Sequence, residues 1–333
     1  MKITIKDIAR ESNYSIATVS KVLNHKDSDV SDKARKTILS VAKKYNFQLN
    51  RAARSLVVNK TKTIGLLLPD ISNPFFSDIA RGVEDYAYEN GYSIFIGNSY
   101  ENFHKEINYL KSMLQLNVDG ILIIGIKDYI NRKDEDFIVN KPILAIDRKT
   151  IYKNILSEVY TDHYIGAKKA MEYLIQNNHK KILFIPGPKN SDSAKKRFKA
   201  YLDIMKSKSL EFDEKDLCFG DFSIEHGFET INKIDDILKY TAIFCCNDLI
   251  ALGAMAALNK KQINVPEDIS IIGVDDIELS KISSPPLTTM KQPAYELGVS
   301  SCRMLIKSIN NKIIEKNILL DQTLIIRDSV TKI

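Results

Sequence analysis

The 333-residue sequence predicts a small all-α helix-turn-helix head and a hinge helix, joined to a two-lobed α/β domain. Three observations carry this. Residues 1–60 hold 13 Lys and Arg against 5 Asp and Glu, whereas residues 61–333 hold 35 against 37. A basic excess confined to one end is the footprint of a polyanion partner. The segment Ser12-Asn13-Tyr14-Ser15-Ile16-Ala17-Thr18-Val19-Ser20-Lys21-Val22-Leu23-Asn24 reads as a turn and a second helix. From residue 63 to residue 280, short apolar runs alternate with helical patterns, the rhythm of parallel α/β units.

The head is read helix by helix. Thr4 caps the first helix with Asp7 as its capping-box partner, and Ile5, Ile8 and Ala9 form the apolar face. Asn13 sits at the turn. Ser15 caps the second helix, whose inner stripe is Val19, Val22 and Leu23. Ser31 opens a third helix with Ala34, Ile38, Val41, Ala42 and Tyr45 facing inward. The second helix then presents Ser15, Ile16, Ala17, Thr18, Ser20 and Lys21 outward. Such a helix fits a DNA major groove, where Ile16 and Ala17 meet a thymine methyl and Lys21 a guanine edge or a phosphate. Residues 50–58, Asn50-Arg51-Ala52-Ala53-Arg54-Ser55-Leu56-Val57-Val58, are expected to form a short helix. Its Leu56 is placed to wedge between minor-groove base steps.

In the large domain, strands are expected at Thr63–Leu68, Ser93–Gly97, Gly120–Ile124, Ile143–Ile146, Lys181–Ile185, Ala242–Cys246 and Ile269–Val274. Helices are expected at Pro74–Asn90, Glu106–Leu116, Tyr164–Asn177, Lys195–Lys206, Ile224–Leu238 and Leu249–Asn259. Ligands in such sheets bind beyond the carboxyl ends of strands. Ser72, Phe75 and Phe76 follow the first strand, and Asp147 and Arg148 follow the fourth. Lys195 and Arg197 follow the Gly187-Pro188 turn, and Asn247 and Asp275 follow the last two strands. Each alone also reads as a salt bridge or helix cap, Asp248 above all. As a set they suit a polyhydroxylated ligand lying on an aromatic face.

Other classes are weakly supported. Cys218, Cys245, Cys246 and Cys302 lack metal-ligand spacing. His104, His163, His179 and His226 form no catalytic or metal motif, so no enzyme is expected. No apolar stretch suggests a signal peptide or a membrane span, which points to the cytoplasm.

Three blocks in order, Thr4–Ala9, Ala17–Asn24 and Asn50–Leu56, make the chain resemble the lac-repressor family of bacterial transcription regulators. The large domain resembles that family's effector module, itself similar to periplasmic ribose/galactose-type binding proteins. Gly220-Asp221-Phe222, Ala251–Met255 and Pro286–Thr289 carry further likeness. The resemblance implies a head over 1–48, a hinge and linker over 49–60, and an effector and dimerisation domain over 61–333. Lobe 1 would cover about 61–160 and 289–320, and lobe 2 about 161–288 and 321–333, with crossovers near 160, 288 and 320. It implies DNA contacts from Thr4, Ser15, Ile16, Ala17, Thr18, Ser20, Lys21, Asn24, Asn50, Arg51, Ala53, Arg54 and Leu56. Asp147, Arg197, Asn247 and Asp275 match its ligand-contacting positions, and the resemblance places Phe222 in the same cleft. Leu49 stands where the family usually has proline, and Asn13 where glycine is common.

The implied function is a homodimeric repressor of carbohydrate-utilisation genes. It would bind palindromic double-stranded operator DNA and be released by a ribose-type or similar monosaccharide. Alternatives are a catabolite-control regulator using a phosphorylated phosphocarrier protein, a purine-responsive regulator, or a sugar-binding or sugar-modifying protein with no role on DNA.

Overall fold

The computed structural model describes residues 3–24, 27–47, 60–125, 140–148, 150, 152, 155–314 and 316–333. The chain divides into two compact units, Met1–Thr61 and Lys62–Ile333. The hinge helix expected over residues 50–58 lies outside the described residues.

The first unit holds three helices, α1 (Ile5–Ser12), α2 (Ile16–Leu23) and α3 (Asp32–Lys44). All three start on a side-chain cap. The Thr4 hydroxyl accepts from the Asp7 N–H at 3.4 Å, while the Asp7 carboxylate accepts from the Thr4 N–H at 3.0 Å. Ser15 Oγ accepts from the Thr18 N–H at 3.1 Å, and Ser31 Oγ from the Ala34 N–H at 3.3 Å. Each such cap contributes about 1 kcal/mol to a helix too short to stand alone. Asn13 takes the left-handed conformation with φ 61°, which its short polar side chain tolerates. Ile8, Ala9, Val19, Val22 and Ile38 are buried between the helices.

The second unit contains two sheets. The first has the order β10–β5–β4–β3–β1–β2, all parallel. Its strands are β1 (Thr63–Leu68), β2 (Ser93–Asn98), β3 (Gly120–Ile123), β4 (Ile143–Asp147), β5 (Ile155–Thr161) and β10 (Asn317–Leu320). The second has the order β11–β9–β8–β7–β6. It contains β6 (Ile182–Ile185), β7 (Ala242–Cys245), β8 (Ser270–Asp275), β9 (Thr288–Lys291) and β11 (Thr323–Ile325), the last antiparallel. β3, β4, β6, β7 and β8 are buried along their whole length, as befits parallel strands covered on both faces.

The chain passes between the sheets three times, after Thr161, after Lys291 and after Leu320. The second passage differs from the one expected near 288. Thr288–Lys291 pairs in parallel with Ile272–Asp275, so residues 289–291 belong to the second lobe. Four strands, β5, β9, β10 and β11, escaped the sequence reading. β5, β10 and β11 are partly exposed edge or near-edge strands without a continuous apolar run.

The first sheet is covered by α4 (Pro74–Glu89) and by the helix Ala294–Ile309, which pack closely against each other. Phe76, Ile79, Ala80 and Val83 are therefore buried inside the lobe. The two helices meet through Gly82 and Gly298. A Cβ on Gly298 would lie 2.2 Å from the Ile79 carbonyl oxygen, and one on Gly82 2.2 Å from that of Tyr295. Gly298→Ala should cost about 1–3 kcal/mol of the large unit's stability, because the obstacle is backbone. Urea unfolding of the full chain measures this, and an unchanged midpoint would contradict the close crossing.

Candidate functional site

The head presents a compact face. Ser15, Ile16 and Ala17 at the start of α2 are exposed, Ile16 at 46%. Thr18 and Ser20 are half-buried, and Thr18 shares a hydroxyl–hydroxyl hydrogen bond with Ser15 at 2.9 Å. An exposed isoleucine beside free helix N–H groups gains nothing in water and gains contact in a groove. Lys21 is exposed and ion-paired with Asp29. Thr4 and Asn24, also named from the sequence, are likewise engaged inside the head. The Thr4 hydroxyl serves the capping box, and Asn24 Nδ2 donates to the Ser20 carbonyl at 2.7 Å. Asn50, Arg51, Ala53, Arg54 and Leu56 lie outside the described residues.

The large unit carries a cleft at the carboxyl ends of its strands. Its outer part encloses about 460 Å³ between Asn73, Phe76, Glu101 and Arg148 on one lobe and Asp192, Asp221 and Phe222 on the other. The inner end is lined by Phe75, Asp147, Arg197, Asn247, Asp275 and Gln292. The structure thus brings together eight of the ten residues named from the sequence. Ser72 and Lys195 are the exceptions. Ser72 is exposed and donates to Asp70 from both its N–H and its hydroxyl. Lys195 is exposed on the helix Asp192–Ser207, because two residues of helical phase separate it from the buried face that carries Arg197.

Two acidic residues end corresponding strands, Asp147 on β4 and Asp275 on β8. Both hold positive φ, 66° and 122°, and both are buried. Such backbone costs of order 1–3 kcal/mol and clusters at functional sites. Beside each lies a buried arginine. Arg148 Nε is 3.9 Å from Asp147 Oδ2, and Arg197 Nη2 is 3.8 Å from Asp275 Oδ1. Both distances exceed a hydrogen bond. Asp147 Oδ1 and Arg148 Nε have no hydrogen-bond partner among the described residues. The rest of each guanidinium is anchored. Arg148 Nη1 donates to Glu101 at 2.9 Å, and Arg197 Nη1 to the Cys246 carbonyl at 2.7 Å. Arg148 also lies over the Phe76 ring, 5.6 Å from its centroid.

His163 sits between these pairs. Its Nε2 is 3.2 Å from the Asp147 carbonyl oxygen, and its Nδ1 is 3.4 Å from Arg197 Nη2. Burial pushes its pKa down to about 4, with Asp147 opposing and Arg197 assisting. The ring is therefore neutral, and the Nε2–H tautomer lets it donate to Asp147 while accepting from Arg197. Asn247, rather than Asp248, caps the helix that follows it, accepting from the Ile250 N–H at 2.9 Å. Asp248 is buried under Thr289 and the Ile277 N–H, away from the cleft lining. Asn73, His163 and Gln292 were missed by sequence reasoning. Asn73 before Pro74 was legible as a helix cap, whereas Gln292 follows a strand that had itself been missed.

The head, the two mainly parallel sheets and the charged interlobe cleft define a DNA-binding regulator that takes a small effector. Residues 4–50 match "Bacterial regulatory proteins, lacI family", and residues 171–330 match "Periplasmic binding protein-like domain". The chain is 37% identical over 334 residues to the HTH-type transcriptional repressor PurR of Pasteurella multocida, covering 98% of each. It is 33% identical over 321 residues to the catabolite control protein A of Priestia megaterium, covering 96% of each. Among solved structures it is similar to the lac repressor dimer bound to operator and the anti-inducer ONPF. That match has a TM-score of 0.84 and 26% identity, over 99% of this chain and 100% of that one. It is also similar to a regulator from Alkaliphilus metalliredigens complexed with D-xylulofuranose, with a TM-score of 0.71 and 33% identity over 81% and 99%. The chain belongs to the lacI family of bacterial regulatory proteins. It is a transcriptional regulator and not an enzyme. No helix among the described residues is long and apolar enough to cross a membrane.

Two outcomes follow. Asp29→Asn frees Lys21 and should strengthen binding to duplex DNA at low salt, with an advantage that shrinks at high salt. Fluorescence anisotropy between 50 and 300 mM salt measures it, and weakened binding would show that the pair serves the DNA-bound head instead. Burial raises the Asp275 pKa to about 7, against the opposing Arg197 charge. A carboxylate that must accept hydrogen bonds from an effector is lost as pH falls through that value. Effector affinity should therefore drop by about tenfold from pH 8 to pH 6. Calorimetry across that range checks the direction, and tighter binding at pH 6 would contradict it.

Proposed function

We propose that this chain is a homodimeric repressor which binds a palindromic operator and is released by a pentose-sized monosaccharide of the ribose type. The observation that carries the sugar reading is the pair of open carboxylate–guanidinium contacts, one per lobe, at 3.9 and 3.8 Å. A hydroxyl donates and accepts at once, so a single hydroxyl bridges each pair by donating to the aspartate and accepting from the arginine. A ring bearing several hydroxyls completes both pairs together. Asn247 and Gln292 supply further amide groups, and Phe222 and Phe76 offer flat apolar faces to the sugar C–H groups. The similarity to a regulator complexed with D-xylulofuranose supports the same chemical class.

The roles on DNA follow from the head and from symmetry. Ser15, Ile16, Ala17, Thr18, Ser20 and Lys21 read the major groove, and Arg51, Arg54 and Leu56 enter the adjacent minor groove. Two heads on a two-fold site multiply weak half-site binding. The similarity to the lac repressor dimer bound to operator supports this arrangement.

A purine effector is the second reading, favoured by 37% identity to PurR. A purine edge would meet each pair through two adjacent ring positions, an N–H donating to the aspartate and a neighbouring N or O accepting from the arginine, where a sugar uses one hydroxyl. A phosphorylated phosphocarrier protein as corepressor is the third, favoured by the likeness to catabolite control protein A. The deciding measurement is calorimetry with D-ribose, D-xylulose, D-fructose, hypoxanthine and guanine, paired with operator anisotropy. The expected result is binding by one of the sugars and release of the duplex. A purine that binds and tightens the duplex would replace the sugar reading. Binding of neither class, with the phosphoprotein tightening the duplex, would favour the third.

A further inference from the structure

Each of the three passages between the lobes carries one buried polar side chain. Thr161 ends β5, Gln292 follows β9, and Gln322 lies between β10 and β11. Their exposures are 0%, 3% and 7%. Polar groups buried to this degree need partners, and these three find one another. The Thr161 hydroxyl donates to Gln292 Oε1 at 2.7 Å. Gln322 Nε2 donates to Thr161 Oγ1 at 2.8 Å and to Gln292 Oε1 at 3.2 Å. The other end of the Gln292 amide leaves the triangle, with Nε2 donating to Asp275 Oδ1 at 2.6 Å. Gly166 makes room for the triangle, since a Cβ there would lie 1.6 Å from Gln322 Oε1.

The polarity of this chain has a consequence. An amide has one accepting and one donating end. Two donors converge on the accepting end of Gln292, so its donating end must face Asp275. Turned the other way, Gln292 would set N–H groups against two donors and a carbonyl against a carboxylate. Only Gln292 and Asp275 of these four residues line the cleft.

We propose that Gln322 and Thr161 are positioning residues that hold the Gln292 amide donor on Asp275, tying the effector-binding carboxylate to all three hinge strands. Any rotation of one lobe against the other shifts these three strands relative to one another. It therefore alters how firmly Asp275 is presented. By reciprocity, an effector that loads Asp275 biases the hinge. The proposal rests on the cleft being the effector site, and not on the effector being a sugar.

Thr161→Val removes the hydroxyl at constant shape, Thr161→Ser keeps it, and Gln322→Met removes the amide at similar volume. The first readout needs no ligand: NMR titration of the Asp275 carboxyl in the full-length protein with labelled aspartate. Arg197, Asp147, Asp248 and the Cys246 thiol are the charged or titratable groups around that carboxyl, and none is altered. Loss of the Gln292 donor should move the Asp275 midpoint upward in T161V and Q322M, with T161S matching the wild type. The second readout is the dissociation constant for D-ribose at pH 8, expected to rise about tenfold in T161V and Q322M, the scale of one lost buried hydrogen bond. Should the wild type bind hypoxanthine and not D-ribose, the sugar reading fails. The same variants are then measured with hypoxanthine, and the same rise is expected. An Asp275 midpoint unmoved in both T161V and Q322M overturns the proposal. So does T161S shifting as far as T161V, which would assign the effect to packing.

Discussion

The cleft of the large unit is built around four buried ionisable side chains whose acidic and basic members stop short of contact distance. Asp147, Arg148, Arg197 and Asp275 are each at most 7% exposed. Burying such groups costs several kcal/mol apiece unless they are paired and hydrogen-bonded. The protein satisfies part of three of them: Glu101 takes one arm of Arg148, the Cys246 carbonyl one arm of Arg197, and Gln292 one oxygen of Asp275. Asp147 Oδ1 and Arg148 Nε are left buried without a hydrogen-bond partner among the described residues. The parallel sheets make this arrangement possible, because their strand ends place one acidic residue per lobe at the same opening.

His163 and the crossover triangle extend that logic from chemistry to motion. His163 belongs to the first residues after the first passage, yet it touches Asp147 of one lobe and Arg197 of the other. As a neutral imidazole it joins the two without adding a charge to the cleft. The triangle does the same for Asp275 and the three passages. Residues that line the cleft and residues of the three passages thus adjoin. On the proposed reading, a small molecule that completes the charge pairs would bind one lobe arrangement better than another, which is the condition for shifting a population.

How much of this was legible in the sequence depended on the kind of signal. Caps were readable, since Thr4, Ser15 and Ser31 announce helix starts through local hydrogen bonds. Buried central strands were readable because lack of solvent on either face leaves a continuous apolar run. The edge strands β10 and β11 hold only exposed and half-buried residues over four and three positions, too short for a period to show. Among site residues, Asp147, Arg148, Asn247 and Asp275 stood out as polar residues closing apolar strands. Ser72 and Lys195 looked equivalent, but the turn after β1 ties Ser72 to Asp70, and helical phase puts Lys195 on the outside. One residue of register decides between Ser72 and Asn73, and sequence alone does not supply it.

Thr161, Gln292 and Gln322 illustrate a harder limit. They are separated by 131 and 30 positions, and each on its own is an ordinary polar residue at a strand end. Their meaning lies only in their convergence, which requires three chain passages through one point. That convergence also explains why none of them needs a charge. A carboxylate or a lysine at the hinge would carry a desolvation cost in every lobe arrangement, whereas neutral amides and a hydroxyl trade hydrogen bonds at little net energy. On the proposed reading, a hinge built from such groups leaves the choice of lobe arrangement to the effector held in the cleft beside it.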